Sequence, residues 1–478
     1  MEFFFTLLPF VISFILGHLL INFWGRKETH APDLFLRIPL AVGLGLGISN
    51  YIGFFSFVLW DKFQRATIIL LHLLFLVGLL WGKSFLVAKK QRRVSSVTSS
   101  MPLFLFFMII FVSAVPLWIE ANHYPWGGWD AWSCWNLKTK FLFLGGNHWK
   151  NVFSPILWRA SPHYPLLLPL LNLWGWIFLD HPNNLGPMIV TVLFTLLNIG
   201  LLFSGLKYLT KNNSSLLAGF LMFSSPFYTT LAISQYCDIV LSYFLLAGLC
   251  CFTLALHERR ESFFILAGLF TGFLSFTKTE GMIAAVLLLM LGTGILGWEK
   301  CNLARRELGL FLGSAVMAFL PTIVFKFLYS PGNQTFINGL FSKTKPINLF
   351  RIQFTMAFFM AELMAAKWNG LWAVLSAGLI FSGRKCFEKR IRIFPLFLFF
   401  YLGIIIFYYW LNTYFEIRWW LQVTLNRILF SLIPAFIFWI FYSLWQRDTV
   451  VSMDENKTEE KIGRKKSSAP ARKTKKTG

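Results

Sequence analysis

Asp130 ends the run Trp126-Gly127-Gly128-Trp129-Asp130, and Trp132 follows two positions later. An acid held among indoles at a water boundary is partly desolvated, which raises its pKa toward that of a useful general base. Indole faces such as that of Trp129 are platforms for sugar rings and cationic groups. Asp130 also precedes Ala131–Leu144, a segment with helical apolar spacing that stops at Gly145-Gly146, so capping of a helix N-terminus is the competing role. Lys138 and Lys140 fall about 80° to either side of the Asp130 stripe and more than two turns along it, so the spacing reads both as solvated or lipid-facing charges.

Four more constellations have the residue types for chemistry. Asp238 follows Tyr236-Cys237 where an apolar run begins, and N-capping, catalysis and metal ligation all remain open for it. In Ser161-Pro162-His163-Tyr164-Pro165 two prolines fix an extended path and leave His163 facing the loop, incidental or functional. Lys278 and Glu280 lie in Thr277-Lys278-Thr279-Glu280-Gly281 between two apolar runs, and Arg418 and Arg427 precede the last one. Cations at membrane depth are costly enough to suggest function, here phosphate binding, with snorkelling to lipid phosphates as the alternative. Soluble-enzyme signatures are missing: there is no Walker A loop, H-E-x-x-H, C-x-x-C or G-x-S-x-G. Gly292, Gly294 and Gly297 match G-x-G-x-x-G only by closing an apolar run, and Gly43, Gly45 and Gly47 suit close helix packing.

The elements that must position these residues follow from composition. The chain has 478 residues, 56% hydrophobic and 14% charged, and a formal charge of +23. Soluble domains are about 25% charged. Disordered, collagenous and disulfide-scaffold classes are excluded. Apolar stretches long enough to cross a bilayer recur at 3–24, 37–60, 66–88, 102–119, 186–206, 216–235, 239–257, 262–277, 281–298, 308–328, 368–382, 394–411 and 425–445. Such spans must be helices, so the expected fold is all-α, a polytopic membrane protein with about 13 transmembrane helices. The first run has no basic n-region or cleavage site and reads as a retained helix.

Loops 25–37, 83–101, 207–215, 257–261, 298–307 and 383–393, with the tail 446–478, hold 30 of the 44 Lys and Arg residues. If the helices alternate, all these segments share one side. The positive-inside rule makes that side cytoplasmic, with the N-terminus outside and the C-terminus inside. Parity then leaves Pro165–Leu179, with Trp174 and Trp176, as an interfacial or re-entrant helix, and 352–366 as a similar case. The external regions are 120–185 and 329–367. The tail reads as disordered and held by anionic lipid rather than nucleic acid. Cys134 and Cys237 both fall in external segments, which leaves a disulfide between them open.

In this order, Asp130 within Gly128-Trp129-Asp130-Ala131-Trp132, His163 to Pro165, Asp238 within Tyr236-Cys237-Asp238-Ile239, and Lys278 within Thr277-Lys278-Thr279-Glu280-Gly281 resemble the GT-C superfamily of integral-membrane glycosyltransferases, of the protein mannosyltransferase and aminoarabinose transferase type. The resemblance covers about residues 102–445, a GT-C-like catalytic membrane domain with external juxtamembrane helices. Residues 1–101 form a three-helix N-terminal extension. It implies transfer of a sugar from a polyprenyl-phosphate donor to a glycan, lipid or protein acceptor on the outer face of a plasma membrane, in cell-envelope chemistry. Asp130 would be the general base of an inverting reaction. Lys278, Arg418 or Arg427 would hold the donor phosphate. His163 and Asp238 would orient donor or acceptor, with Trp129, Tyr164, Tyr236 and Glu280 among the substrate-binding residues. One acid stands where the family often has two adjacent ones, and no metal or cofactor is expected. A polysaccharide polymerase or ligase with a diphosphate-linked donor is the competing enzyme, and a lipid or sugar transporter the competitor outside enzymes. A transporter would gather ionisable residues near mid-membrane, whereas these candidates gather at one face.

Overall fold

The computed structural model describes residues 1–25, 34–85, 100–212, 215–298, 302–333, 335, 338–339 and 349–445. The α-helices among them are α1 (Glu2–Gly25), α2 (Leu34–Trp60), α3 (Arg65–Phe85), α4 (Ser100–His123), α5 (Asn136–Leu144), α6 (Leu167–Gly175), α7 (Leu185–Thr210), α8 (Ser215–Phe223), α9 (Pro226–Ile233), α10 (Cys237–Glu258), α11 (Glu261–Ser275), α12 (Thr279–Trp298), α13 (Asn302–Leu328), α14 (Leu349–Leu363), α15 (Leu371–Ser382), α16 (Ile393–Leu411) and α17 (Ile417–Trp445). There is no strand among the described residues, and the expected all-α polytopic architecture is what forms. The tail from Gln446 and most of the basic loops 25–37 and 83–101 lie outside the described residues.

Among the described residues ten helical stretches are long and apolar enough to cross a membrane. Nine overlap expected spans. The tenth, Leu349–Trp368, contains the segment 352–366, expected to be interfacial or re-entrant and not a span. Three other expected spans form α4, of 24 residues, α11, of 15, and α15, of 12. The expected span 216–235 is broken. Its halves α8 and α9 meet at 79°, because Pro226 lacks an N–H to continue α8 and Ser225 caps α9, its Oγ accepting from the Tyr228 N–H.

Of the two alternatives for Pro165–Leu179, interfacial or re-entrant, the structure speaks against the interfacial one. The helical part of this segment, α6, has nine residues, all buried. At about 1.5 Å per residue it cannot cross a bilayer, and it enters the protein instead of lying on its surface. Its indoles are tied inward: Trp174 Nε1 donates to the Pro9 carbonyl at 2.9 Å, and Trp176 Nε1 to the Asn183 carbonyl at 3.0 Å.

The core is built around α10, buried along its whole spanning length and packed by α7, α11, α12 and α17. α1 and α2 approach through glycine: a Cβ on Gly45 would stand 1.7 Å from the Ser13 carbonyl oxygen, and one on Gly17 1.9 Å from that of Ala41. Helix ends sort into two faces. One joins the C-terminus of α4, the N-terminus of α10, the connection from α11 to α12 and the C-terminus of α13. The other joins the C-terminus of α10 to the N-termini of α11, α13 and α16, where Arg259 meets Glu307 at 2.7 Å and Arg390 donates to His257 Nδ1 at 3.4 Å.

Candidate active site

At the first of these faces four charged groups widely separated in sequence form one chain of ion pairs. Arg427 Nη1 lies 2.6 Å from Asp130 Oδ2, and its Nη2 lies 2.7 Å from Asp238 Oδ2. The other oxygen of Asp238 accepts from Lys278 Nζ at 2.7 Å, and the same ammonium stands 3.8 Å from Glu280. Asp238 and Lys278 are buried, while Asp130 keeps about a third of its side chain exposed. Burial alone would pull the Lys278 ammonium down, but Asp238 and Glu280 outweigh it and hold the group above its ordinary range.

Asp238, Glu280 and Lys278 are delivered by helix ends. Asp238 occupies the first turn of α10, Glu280 that of α12, and Lys278 the turn between α11 and α12. Arg427 projects from ten residues inside α17, which begins at Ile417, eight residues before the span expected from the sequence. Asp130 does not cap a helix as its position suggested. Its backbone is already helical, it makes no side-chain cap bond, and a π-helical turn over Ala131–Trp135 leads from it into α5. The preceding chain reverses at Gly127, φ +68°, a conformation that suits glycine. Gly128 donates its N–H to the Ser234 carbonyl at 3.0 Å, and a Cβ there would meet the Tyr236 hydroxyl at 2.3 Å. Tyr236 in turn lies under the Arg427 guanidinium, 4.5 Å from the ring centre. Burial raises the pKa of the Tyr236 hydroxyl, and Asp130 adds to the effect.

Beside this network opens a cavity of about 600 Å³ lined by Trp129, Arg159, His163, Tyr164, Glu280 and Tyr409, among others. Burial pushes the His163 imidazole down to about 3, and the Lys138 and Lys326 ammoniums push it the same way, so the ring is neutral at ordinary pH. Trp129 is 60% exposed and meets Trp132 edge to face at 4.4 Å. Arg159 sits on the wall with its guanidinium over Trp158 and has no carboxylate partner among the described residues. Arg418 stands apart from the network, exposed, over the ring of Phe354.

The cations that shape the cavity were hidden from sequence reasoning. Lys138, expected at the surface, is fully buried: its Nζ donates to the Ser161 carbonyl at 2.7 Å and the Tyr164 carbonyl at 3.3 Å, and desolvation lowers its pKa. Lys140 is exposed, as expected, over Trp126. Lys326 donates to the His163 carbonyl at 2.6 Å, and Arg351 clamps the carbonyls of Tyr409, Asn412 and Phe415 on the opposite wall. Lys326→Met removes one charge-assisted bond, worth about 1.5–3 kcal/mol, from the loop that carries His163. The expected result is about a ten-fold rise in donor KM with little change in kcat, measured in steady-state transfer assays. Cys134 and Cys237 are both free thiols, and burial raises that of Cys134 to about 11.

Residues 164–325 match the model of the dolichyl-phosphate-mannose-protein mannosyltransferase family. No curated protein and no solved structure matches the chain. The matched segment contains Tyr164, Tyr236, Asp238, Lys278 and Glu280, while Asp130, His163, Arg418 and Arg427 lie outside it. The match covers the elements that carry Asp238, Lys278 and Glu280, and over this segment the chain is similar to the GT-C-type membrane glycosyltransferases.

Proposed function

We propose that the protein transfers a sugar from a polyprenyl-phosphate donor to an acceptor on the outer face of the plasma membrane, with inversion and with Asp130 as general base. The observation that carries this reading is the meeting of Asp130, Asp238, Lys278 and Arg427 beside a cavity lined by their sequence neighbours Trp129, Glu280 and Ile428. Arg427 orients Asp130 through Oδ2, and Oδ1 has no hydrogen-bond partner among the described residues, so it is available to an acceptor hydroxyl. As the acceptor oxygen bonds to the anomeric carbon, its proton passes to Asp130 and the bond from that carbon to the phosphate oxygen breaks. Polyprenyl phosphate leaves as an anion, and preorganised cations stabilise the charge that builds on it. Arg159 fits this role because it faces the cavity without a carboxylate, whereas Lys278 and Arg427 are engaged by Asp238 and Asp130. Glu280 Oε2 is a buried oxygen with no hydrogen-bond partner among the described residues, suited to accept from a sugar hydroxyl.

The outer-face assignment rests on charge. Lys207, Arg259, Arg260, Arg306 and Arg390 lie at the helix ends opposite the site, and such charge stays cytoplasmic. The N-terminus falls on the site face, where Glu2 meets His181 at 3.2 Å. No group of three His, Cys, Asp or Glu side chains suited to a metal occurs among the described residues. Because Asp130 and Asp238 are already neutralised by Arg427 and Lys278, transfer from polyprenyl-phosphate mannose by purified protein in nanodiscs is expected to survive EDTA and to give a product of inverted anomeric configuration by NMR. A retained configuration, or loss of transfer restored by a divalent metal, would overturn this mechanism.

A further inference from the structure

A second cavity, of about 530 Å³, lies on the other side of the Asp130 turn, lined by Trp126, Trp132, Lys140, Trp176, His181 and Asn184 among others. Trp129 lines the first cavity and Trp132 the second, so their edge-to-face pair is a wall between the two, with Asp130 on the same turn. We infer that this second cavity binds the acceptor, and that the acceptor is a glycan. The inference rests on the transferase reading above.

Inversion by a single displacement requires the acceptor oxygen to reach the anomeric carbon from the side opposite the departing phosphate, so acceptor and donor approach the reacting carbon from opposite sides. The two cavities flanking Asp130 supply these two approaches. The lining chemistry is that of sugar recognition. Trp126 is 56% exposed and Trp132 48%, large rigid faces for the C–H side of a pyranose. Asn184 precedes α7 without a side-chain cap bond, and its planar amide has no partner among the described residues, leaving donor and acceptor atoms for sugar hydroxyls. The rim is pre-set around these groups. Lys140 Nζ stands 5.5 Å from the Trp126 ring centre, His181 pairs with Glu2 at 3.2 Å, and Asn183 bonds the Gly186 N–H at 3.2 Å.

The test offers the intact protein in nanodiscs polyprenyl-phosphate mannose and three acceptor preparations: delipidated cell-envelope polysaccharide, organic-soluble lipid-linked oligosaccharide, and delipidated, deglycosylated envelope protein. Transfer is expected onto the polysaccharide or the lipid-linked oligosaccharide, and which of the two accepts distinguishes a free glycan from a membrane-held one. Trp126→Ala, Trp132→Ala and Asn184→Ala should each raise the half-saturating acceptor concentration at least ten-fold while donor KM stays within two-fold. Trp126 and Asn184 are not part of the buried core, so their variants keep the test open if Trp132→Ala folds poorly. Transfer onto the deglycosylated protein alone, or acceptor saturation unchanged in all three variants, overturns the proposal and leaves the transferase reading intact. Transfer onto none of the three by the wild type defeats the transferase reading and this proposal with it.

Discussion

Arg427→Met is expected to lower stability by about 3 kcal/mol and to abolish transfer, because it leaves two carboxylates without the cation they share. Breaking one partner from a buried pair costs about 3–5 kcal/mol. The lower end applies here, since Asp238 keeps Lys278 and Asp130 is partly open to water. A lysine cannot substitute fully: Arg427 reaches Asp130 with Nη1 and Asp238 with Nε and Nη2, a fork that one ammonium lacks. Denaturation midpoints in nanodiscs check the loss. In a double-mutant cycle, Asp238→Asn should cost less in the Arg427→Met background than in the wild type, with a coupling of about 0.5–3 kcal/mol. Additive effects would show that the observed bonds contribute nothing to the folded state.

Asp130→Asn isolates chemistry from architecture. The amide oxygen still accepts from Arg427, so a purely structural role would survive the change. A general base would not. The expected result is a fall in kcat of about 10²–10⁴-fold with a melting temperature within a few degrees of wild type and donor KM within a few-fold. Retention of most of the activity would remove Asp130 from the mechanism, and a collapse in stability would make its role structural.

How much of this was legible in the sequence differs by residue. Asp130, Asp238, Lys278 and Arg427 stood out because each is a charge at the edge of an apolar run. That three of them converge through Arg427 could not be read, since spacing carries no information on contacts between residues as far apart as 130 and 427. Arg418 and Arg427 looked equivalent while the last helix was expected to begin at 425. Once it begins at Ile417, nine residues separate two helical positions, which places them half a turn apart at about 100° per residue, so they face opposite ways. Lys138, Lys326 and Arg351 were invisible because their partners are backbone carbonyls, which have no signature in side-chain pattern. The Ser225-Pro226 break was a legible helix start inside a run whose hydrophobicity argued for continuity. The helices themselves were legible because a bilayer fixes their length and composition.

The most direct measurement of the central claim is a cryo-EM structure in nanodiscs with a non-transferable polyprenyl-phosphonate sugar. The phosphonate is expected against Arg159 in the cavity bounded by His163, Glu280 and Tyr409, with the sugar turned toward Asp130 so that an acceptor hydroxyl fits between them at contacts of about 3 Å. A sugar bound in another crevice, or held more than about 10 Å from Asp130, well beyond the reach of such contacts, would contradict the account.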